Sequence, residues 1–156
     1  MKNKRALLFL QPIVIAGLYL LLTYIFADFS FHEIQVRVSE ALTILPIFTP
    51  AAIPGLFAGC LFSNLLNNAP LIDILLGSFT TLIGAILTWL VPKSKPWLAP
   101  IPSIVANSLI VPIILRYGYD VTTPYYKMML TVGLGEILSC GVLGMLLYLC
   151  LNKIKK

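Results

Sequence analysis

The stretch VRVSEALTILPIFTPAAIPGLFAGCLFSN at residues 36–64 decides the fold of this 156-residue chain. It is strongly apolar and is broken by three prolines, yet it contains an arginine, an acid and an amide: Arg37, Glu40 and Asn64. An ionisable side chain in a bilayer core costs about 2.5 to 3.5 kcal/mol on insertion, so such residues usually face a site or a cavity. The stretch therefore predicts a pair of helices that share a polar pocket inside a membrane bundle.

Composition places the whole chain in the same class. It is 59% hydrophobic and only 11% charged, whereas soluble domains carry roughly 25% charged residues. The net charge of +5 does not indicate a nucleic-acid partner, because the basic residues lie mainly at both ends of the chain and in one loop. We therefore expect an all-α, polytopic membrane protein.

Apolar runs separated by polar or proline-rich breaks predict a single transmembrane domain over residues 1–156. Because a span needs about 20 apolar residues or somewhat fewer, we predict a bundle of six transmembrane helices, at approximately residues 6–27, 34–48, 51–66, 70–91, 101–116 and 125–151. Pro50 ends the second helix, since proline lacks an N–H donor and disfavours helical geometry in the residue before it. The pair Gly55 and Gly59 gives the third helix a smooth face for close packing, and Ala16 with Gly17 forms a smaller notch in the first.

Lysine and arginine positions predict the orientation. With six spans both termini share one side, and that side collects eight of the eleven basic residues: Lys2, Lys4, Arg5, Lys93, Lys95, Lys153, Lys155 and Lys156. The other side has Arg37, Arg116 and Lys127. Because cytoplasmic loops carry the excess of Lys and Arg, we expect a multi-pass protein of the cell membrane with both termini in the cytoplasm.

Polar residues concentrate in the outer half of this predicted bundle. We predict a substrate-binding site, open to the outside and closed towards the cytoplasm, from five residues on four helices: Arg37, Glu40, Asn64, Asn107 and Glu136. We expect the loop at 28–35 to cover it. Other interpretations stay open: Arg37 could reach the interface or pair with Glu40 on the same helix face, and the two amides could only bridge helices. Asp73 fits a helix N-cap or first-turn acid.

The chain offers little for catalysis or metal binding. Its single histidine, His32, lies in a predicted loop, and no G-x-x-x-x-G-K-[ST] phosphate loop is present. The cysteines Cys60, Cys140 and Cys150 lie in apolar runs without a C-x-x-C pair and predict buried free thiols rather than a metal site. We expect a protein that is not an enzyme, with no cofactor and no metal.

The predicted site suits a purine-like solute. One carboxylate can accept the adjacent N–H donors of a guanine-like edge, amides can meet its carbonyl and ring nitrogens, and a second carboxylate can hold a cationic substituent. The residues alone do not choose this ligand over a cationic vitamin.

Five segments in chain order resemble the QueT family, the queuosine-precursor substrate-specificity subunits of energy-coupling-factor (ECF) transporters: VRVSEALTILP (36–46), FTPAAIPGL (48–56), DILLGS (73–78), PIPSIVAN (100–107) and GLGE (133–136). The resemblance implies a six-helix subunit that captures a 7-deazaguanine from outside. It also implies partners: membrane lipid, a transmembrane coupling protein and two cytoplasmic ATPase subunits. The family's docking surface on helix 1 is usually rich in alanine, whereas here only Ala16 and Gly17 are small. Two alternatives remain, a subunit for another vitamin or purine and a self-contained proton-coupled transporter.

Overall fold

A computed structural model describes residues 2–26 and 37–154 of the chain, with side chains for residues 10–26 and 37–154. The regular elements among these residues are six helical rods: α1 (Lys2–Ile25), α2 (Val38–Ile47), α3 (Ala52–Leu66), α4 (Asp73–Leu90), α5 (Ile101–Gly118) and α6 (Tyr125–Ile154). A short 3-10 turn at Pro96–Leu98 leads into α5. The all-α prediction is confirmed for the described residues.

Three of the rods are long and apolar enough to cross a membrane: Asp73–Leu90, Pro96–Gly118 and Tyr125–Ile154. The other apolar helical segments are shorter, at Leu10–Ile25, Val38–Ile47 and Ala52–Leu66. The predicted bounds of α3 to α6 agree with these to within a few residues. Six complete spans and the cytoplasmic position of the termini stay predictions.

The second rod is the centre of the bundle and differs from the expected α-helix. It is a 3-10 helix over all ten residues of Val38–Ile47, and eight of those ten side chains are buried. It contacts α1, α3, α4 and α6. Runs of 3-10 helix longer than three or four residues are uncommon and often mark a hinge or strain. Because side chains three residues apart eclipse one another in this geometry, Glu40 and Thr43 lie in one row.

Glycines let α3 pack tightly against α1, as the sequence predicts. A Cβ on Gly55 would lie 2.7 Å from the backbone oxygen of Pro12, and one on Gly59 would lie 2.7 Å from Cβ of Tyr19. Ala16 is part of this contact, because its Cα is 3.2 Å from the same Gly59 position. Gly17 has nothing within 4 Å, so only half of the predicted notch on α1 is used within the chain.

The outer surface of the bundle has the composition of a lipid-facing belt. Large apolar side chains are exposed along every long rod, including Ile13, Leu66, Phe79, Leu109 and Leu146. Exposed aromatic residues lie near the rod ends, Trp89 and Trp97 at one end of the bundle and Tyr117 and Tyr126 at the other. Aromatic belts of this kind are typical of membrane interfaces.

The two ends of the bundle differ in chemistry. We call one the lysine end, where Lys93, Lys95 and Lys153 lie, and the other the Arg37 end. Apolar side chains pack inside the bundle at the lysine end: Ile44, Ile47 and Ala99 form a buried cluster, and the rings of Phe48 and Tyr148 stack at 5.2 Å. Buried acids and amides concentrate towards the Arg37 end, where they form the site described next.

Candidate functional site

Two carboxylates from different rods meet inside the bundle. Glu40 stands in the first turn of α2, and Glu136 lies about 16 Å along α6 from its start at 1.5 Å per residue. Their side chains are 1% and 3% exposed. One carboxylate oxygen of Glu40, one of Glu136 and the sulfur of Cys140 all lie within 4.8 Å of one another. Two acids this close and this well buried are costly in a membrane protein, and they are the strongest indication of function in the chain.

Tyr19 holds Glu40 from the side of α1. This tyrosine is 1% exposed, and its hydroxyl donates a hydrogen bond to Oε1 of Glu40. The second oxygen, Oε2, has no hydrogen-bond partner among the described residues. A buried polar atom without a partner is rare and asks for an explanation. Here one oxygen is anchored by the protein and the other is left for something else.

Glu136 is held from its own helix. The Cys140 thiol donates to Oε2 of Glu136 at 3.1 Å, and the Thr43 hydroxyl lies 3.4 Å from the same sulfur. The first α-helical part of α6 ends at Glu136, a π-helical segment follows over Ile137–Leu143, and the α-helix resumes at Gly144–Ile154. Short π-helical segments inside α-helices are frequent at functional sites. The π-helical segment of α6 thus begins directly after Glu136.

A second polar group lies between the carboxylate pair and the Arg37 end. We call it the Asp73 cluster, and it consists of Arg37, Asn64, Asp73 and Tyr119. Asp73, 2% exposed, receives the Arg37 guanidinium at 3.4 Å and the Tyr119 hydroxyl at 2.7 Å. The Asn64 amide donates to the backbone oxygen of Asp73 at 3.1 Å. Four rods or rod ends are joined at this one carboxylate.

Tyr119 follows the end of α5 and serves the cluster as a hydrogen-bond donor. Its partial burial, reinforced by the hydrogen bond to Asp73, raises the pKa of the Tyr119 hydroxyl above its ordinary value. The phenol therefore stays protonated at neutral pH and keeps donating to the Asp73 carboxylate.

The carboxylate pair borders a small enclosed cavity. Six residues line it: Arg37, Glu40, Asn107, Val111, Val132 and Glu136. Asn107, 5% exposed, lies beside both carboxylates. The volume of about 10 Å³ is close to the minimum for a single water molecule. We call this space with its lining the carboxylate pocket.

A wider depression lies at the Arg37 end and has another character. It measures about 730 Å³ and is lined by exposed or partly exposed residues after and around the end of α5: Ile113, Arg116, Tyr117, Thr122, Pro124 and Tyr125. It is open to the surroundings, and no buried polar side chain points into it. Ligand sites are usually concave, with a few well-placed polar groups, so the carboxylate pocket is the better candidate despite its size.

The donor set does not fit a metal centre well. Two carboxylates and a thiol meet at the pocket, so the set combines hard oxygen ligands with one soft sulfur and offers only three ligand atoms. A metal takes the thiolate form, and no histidine lies among the described residues. We therefore assign no metal ligands here.

The structure brings together four of the five predicted site residues. Arg37, Glu40, Asn107 and Glu136 line the carboxylate pocket, while Asn64 lies in the Asp73 cluster and bridges α3 to α4. The alternative in which Arg37 pairs with Glu40 is not observed, because the guanidinium pairs with Asp73. Asp73 is in the first turn of α4, as predicted, but it binds side chains of other elements. The loop at 28–35, with His32, lies outside the described residues.

Three further contacts were not predicted from the sequence. Tyr19 sits in a continuous apolar run and gives no local signal of its partner. Tyr119 resembles an interfacial aromatic residue, and Cys140 resembles an ordinary buried thiol. Cys60 and Cys140 are indeed buried free cysteines, whereas Cys150 is exposed, which corrects the prediction for the third thiol.

Comparison with known proteins gives a match to a family model. Neither the curated proteins nor the solved structures include a match to this chain. A family model described as QueT transporter matches residues 10–153, which include both carboxylates and the whole Asp73 cluster. The chain therefore belongs to the QueT transporter family.

Proposed function

We propose that this protein is the substrate-binding membrane subunit of an ECF-type transporter, and that it takes up a queuosine precursor of the 7-deazaguanine class from outside the cell. Family membership supports a transporter rather than an enzyme. The solute class, the coupling protein and the two cytoplasmic ATPases go beyond the family match and belong to this proposal. No nucleic acid is involved.

One observation carries the proposal: Glu40 has a buried oxygen without a partner, Oε2, and this residue lines a pocket together with Glu136 and Asn107. Carboxylate oxygens accept from adjacent N–H donors, and an amide both donates and accepts. A purine-like base with an N–H edge, ring nitrogens and a carbonyl matches this set. Arg37 lies at the rim, on the side of the Asp73 cluster. Asn64 supports that cluster, and in this proposal it acts on the solute indirectly.

The size of the pocket requires movement on binding. About 10 Å³ holds roughly one water, whereas a fused bicyclic base occupies the space of several. Rods α2, α5 and α6 supply the lining and so have to separate. We expect α2 to move most, because its long 3-10 helix is a strained geometry that can rewind.

Binding to the purified subunit tests the proposal. The protein in nanodiscs is titrated with 7-aminomethyl-7-deazaguanine and 7-cyano-7-deazaguanine, with guanine, adenine and thiamine as competitors. The proposal predicts binding of at least one deazaguanine, and at least about a tenfold loss in Glu40→Gln and Glu136→Gln. Asp120→Asn is the matched control, since it makes the same chemical change at an exposed position. If neither deazaguanine binds, the proposal is wrong.

A second candidate is a self-contained, proton-coupled transporter. The closeness of Glu40 and Glu136 favours it, since paired intramembrane acids recur in proton relays. The two candidates differ in what drives uptake. Proteoliposomes that contain this chain alone accumulate solute under an imposed proton gradient only if the second candidate is right. The ECF proposal predicts accumulation only with the coupling protein, the ATPases and ATP.

A further inference from the structure

The charges around the carboxylate pocket do not balance by themselves. Arg37 and Asp73 form an ion pair at 3.4 Å, so these two groups together contribute no net charge. The other two ionisable groups of the pocket are the carboxyl groups of Glu40 and Glu136, both almost completely buried. If both were ionised, two negative charges would lie within 4.8 Å of each other without a cation of their own.

Five of the six rods, or the residues next to their ends, bring titratable or charged groups close to the pair, and α6 contributes Cys140 beside Glu136. Among residues 10–26 and 37–154, the titratable or charged groups near the two acids are Tyr19 from α1, Arg37 before α2, Cys60 from α3, Asp73 from α4, Tyr119 after α5, and Cys140 from α6. Tyr19 and Cys140 donate hydrogen bonds as neutral groups. Arg37 is the one cation in this set, and Asp73 holds it.

Two like charges at such a distance in a low-dielectric site cannot both persist. When the pair is alone, one proton stays on it and its net charge is −1. A solute that brings a positive charge can replace that proton. Glu40 has an unpartnered oxygen and lines the carboxylate pocket together with Asn107 and Glu136, which gives that charge a place to bind.

We propose that the Glu40–Glu136 pair binds the ammonium group of a cationic solute, and that this ammonium takes the place of one proton shared by the two carboxylates. The inference rests on the proposed function and narrows its solute to a deazapurine that carries an amine. Charge is conserved locally: the pair with its proton carries −1, and the doubly ionised pair with the ammonium also carries −1. The displaced proton goes to water.

Selectivity for charge follows directly. A neutral analogue of the same ring system cannot replace the proton, so it has to bind to the half-protonated pair and gains no ion pair. The aminomethyl and cyano deazaguanines are a matched pair for this purpose, because they share the ring and differ in the charge of one substituent.

Calorimetry of the intact protein in nanodiscs tests the exchange. Both ligands are titrated at pH 7 in two buffers of different ionisation enthalpy, which counts the protons released. We expect the amine to bind at least about tenfold more tightly than the nitrile and to release close to one proton, whereas the nitrile releases none. Between pH 6 and 7 the affinity for the amine rises by up to about tenfold per unit, as expected for exchange of one proton, and the affinity for the nitrile stays constant.

Other outcomes would overturn either this inference alone or the proposed function as well. Equal affinities with no proton release would overturn this inference and leave the proposed function standing. Binding of neither ligand would overturn both. Loss of amine binding on addition of EDTA would also overturn the inference, since a metal ion would then supply the positive charge. In Glu40→Gln and Glu136→Gln, proton release should vanish, with Asp120→Asn unchanged. The comparison of the two ligands on the unaltered protein gives the answer even if a variant fails to fold.

Discussion

The Tyr19 hydroxyl of α1 donates a hydrogen bond to Oε1 of Glu40 in α2 and leaves Oε2 of the same carboxylate without a partner. One oxygen of the carboxylate is thus held by the protein, the other has no partner, and Glu40 lines the carboxylate pocket. Tyr19 itself is fixed by the close packing of Gly59 against its Cβ. The glycine face of α3 therefore contributes, through Tyr19, to the position of Glu40.

Tyr19→Phe tests this relationship. Removal of the hydroxyl leaves a second buried oxygen of Glu40 without a donor, which costs about 1 to 3 kcal/mol. We expect a lower melting temperature in detergent and at least about a fivefold weaker affinity for the solute. Tyr24→Phe, on the same rod but 75% exposed, is the control and should change neither. If Tyr19→Phe binds and melts like the unaltered protein, Glu40 is not positioned by this contact.

Asp73→Asn tests the partner of Arg37. The substitution keeps an acceptor for Tyr119 but removes the charge that holds the guanidinium. Arg37 is then free to turn towards Glu40 and Glu136, where it competes with a cationic solute. We predict a loss of amine binding of about tenfold or more, together with destabilisation, because breaking a buried ion pair leaves a charge uncompensated.

The control for Asp73→Asn is Asp120→Asn, which removes a charge from an exposed residue. A double variant, Arg37→Gln with Asp73→Asn, should recover part of the lost amine affinity, since the competing cation is gone. Failure of any recovery, with both proteins folded, would show that the pair matters only for stability.

Gly77→Ala disturbs the Asp73 cluster from another side. A Cβ at this position would lie 2.6 Å from Oδ1 of Asp73 and 3.3 Å from the Asn64 amide nitrogen, so the carboxylate has to move. We expect weaker solute binding in the same direction as Asp73→Asn. In Gly17→Ala the new Cβ has nothing within 4 Å, and a helix gains about 0.5 to 1 kcal/mol from this exchange. Gly17→Ala should therefore melt at the same or a higher temperature.

Cys140 should act through its hydrogen bond to Glu136. Cys140→Ser retains a donor at this position, and we expect solute affinity within about threefold of the unaltered protein. Cys140→Val retains the volume but lacks the donor, and affinity should fall by about tenfold because a buried hydrogen bond to a charged group is worth about 1.5 to 3 kcal/mol. Cys150→Ser, at an exposed position, is the control. Equal affinities for Ser and Val at position 140 would contradict a positioning role.

The sequence predicted much of the helical framework. Long apolar runs set the bounds of α4, α5 and α6, because hydrophobicity over that length leaves few other structures. Ionisable residues in apolar runs identified Glu40 and Glu136 as two of the five predicted site residues before any geometry was known, since burying such groups has a high cost. The glycine spacing in α3 correctly indicated a close helix contact.

Contacts between rods were harder to predict. Sequence spacing places Arg37 beside Glu40 only if Arg37 belongs to the helix, but α2 begins at Val38 and the backbone of Arg37 is extended (φ -88°, ψ 96°). Its guanidinium pairs with Asp73, 36 residues away. The rod itself is a 3-10 helix and not the expected α-helix. The proline at position 46 gave no sign that the whole rod would adopt this geometry. The hydrogen-bond partners of Tyr19 and Asn64 depend on which faces of α1, α3 and α4 meet, and local sequence patterns do not determine those faces.

The most direct measurement for the central claim is the affinity of 7-aminomethyl-7-deazaguanine for the unaltered protein, Glu136→Gln and Asp120→Asn in parallel. The account predicts tight binding by the unaltered protein and by Asp120→Asn, and a loss of at least about tenfold in Glu136→Gln when all three elute as folded protein. Equal affinity in all three would contradict it, because the solute would then bind away from the Glu40–Glu136 pair.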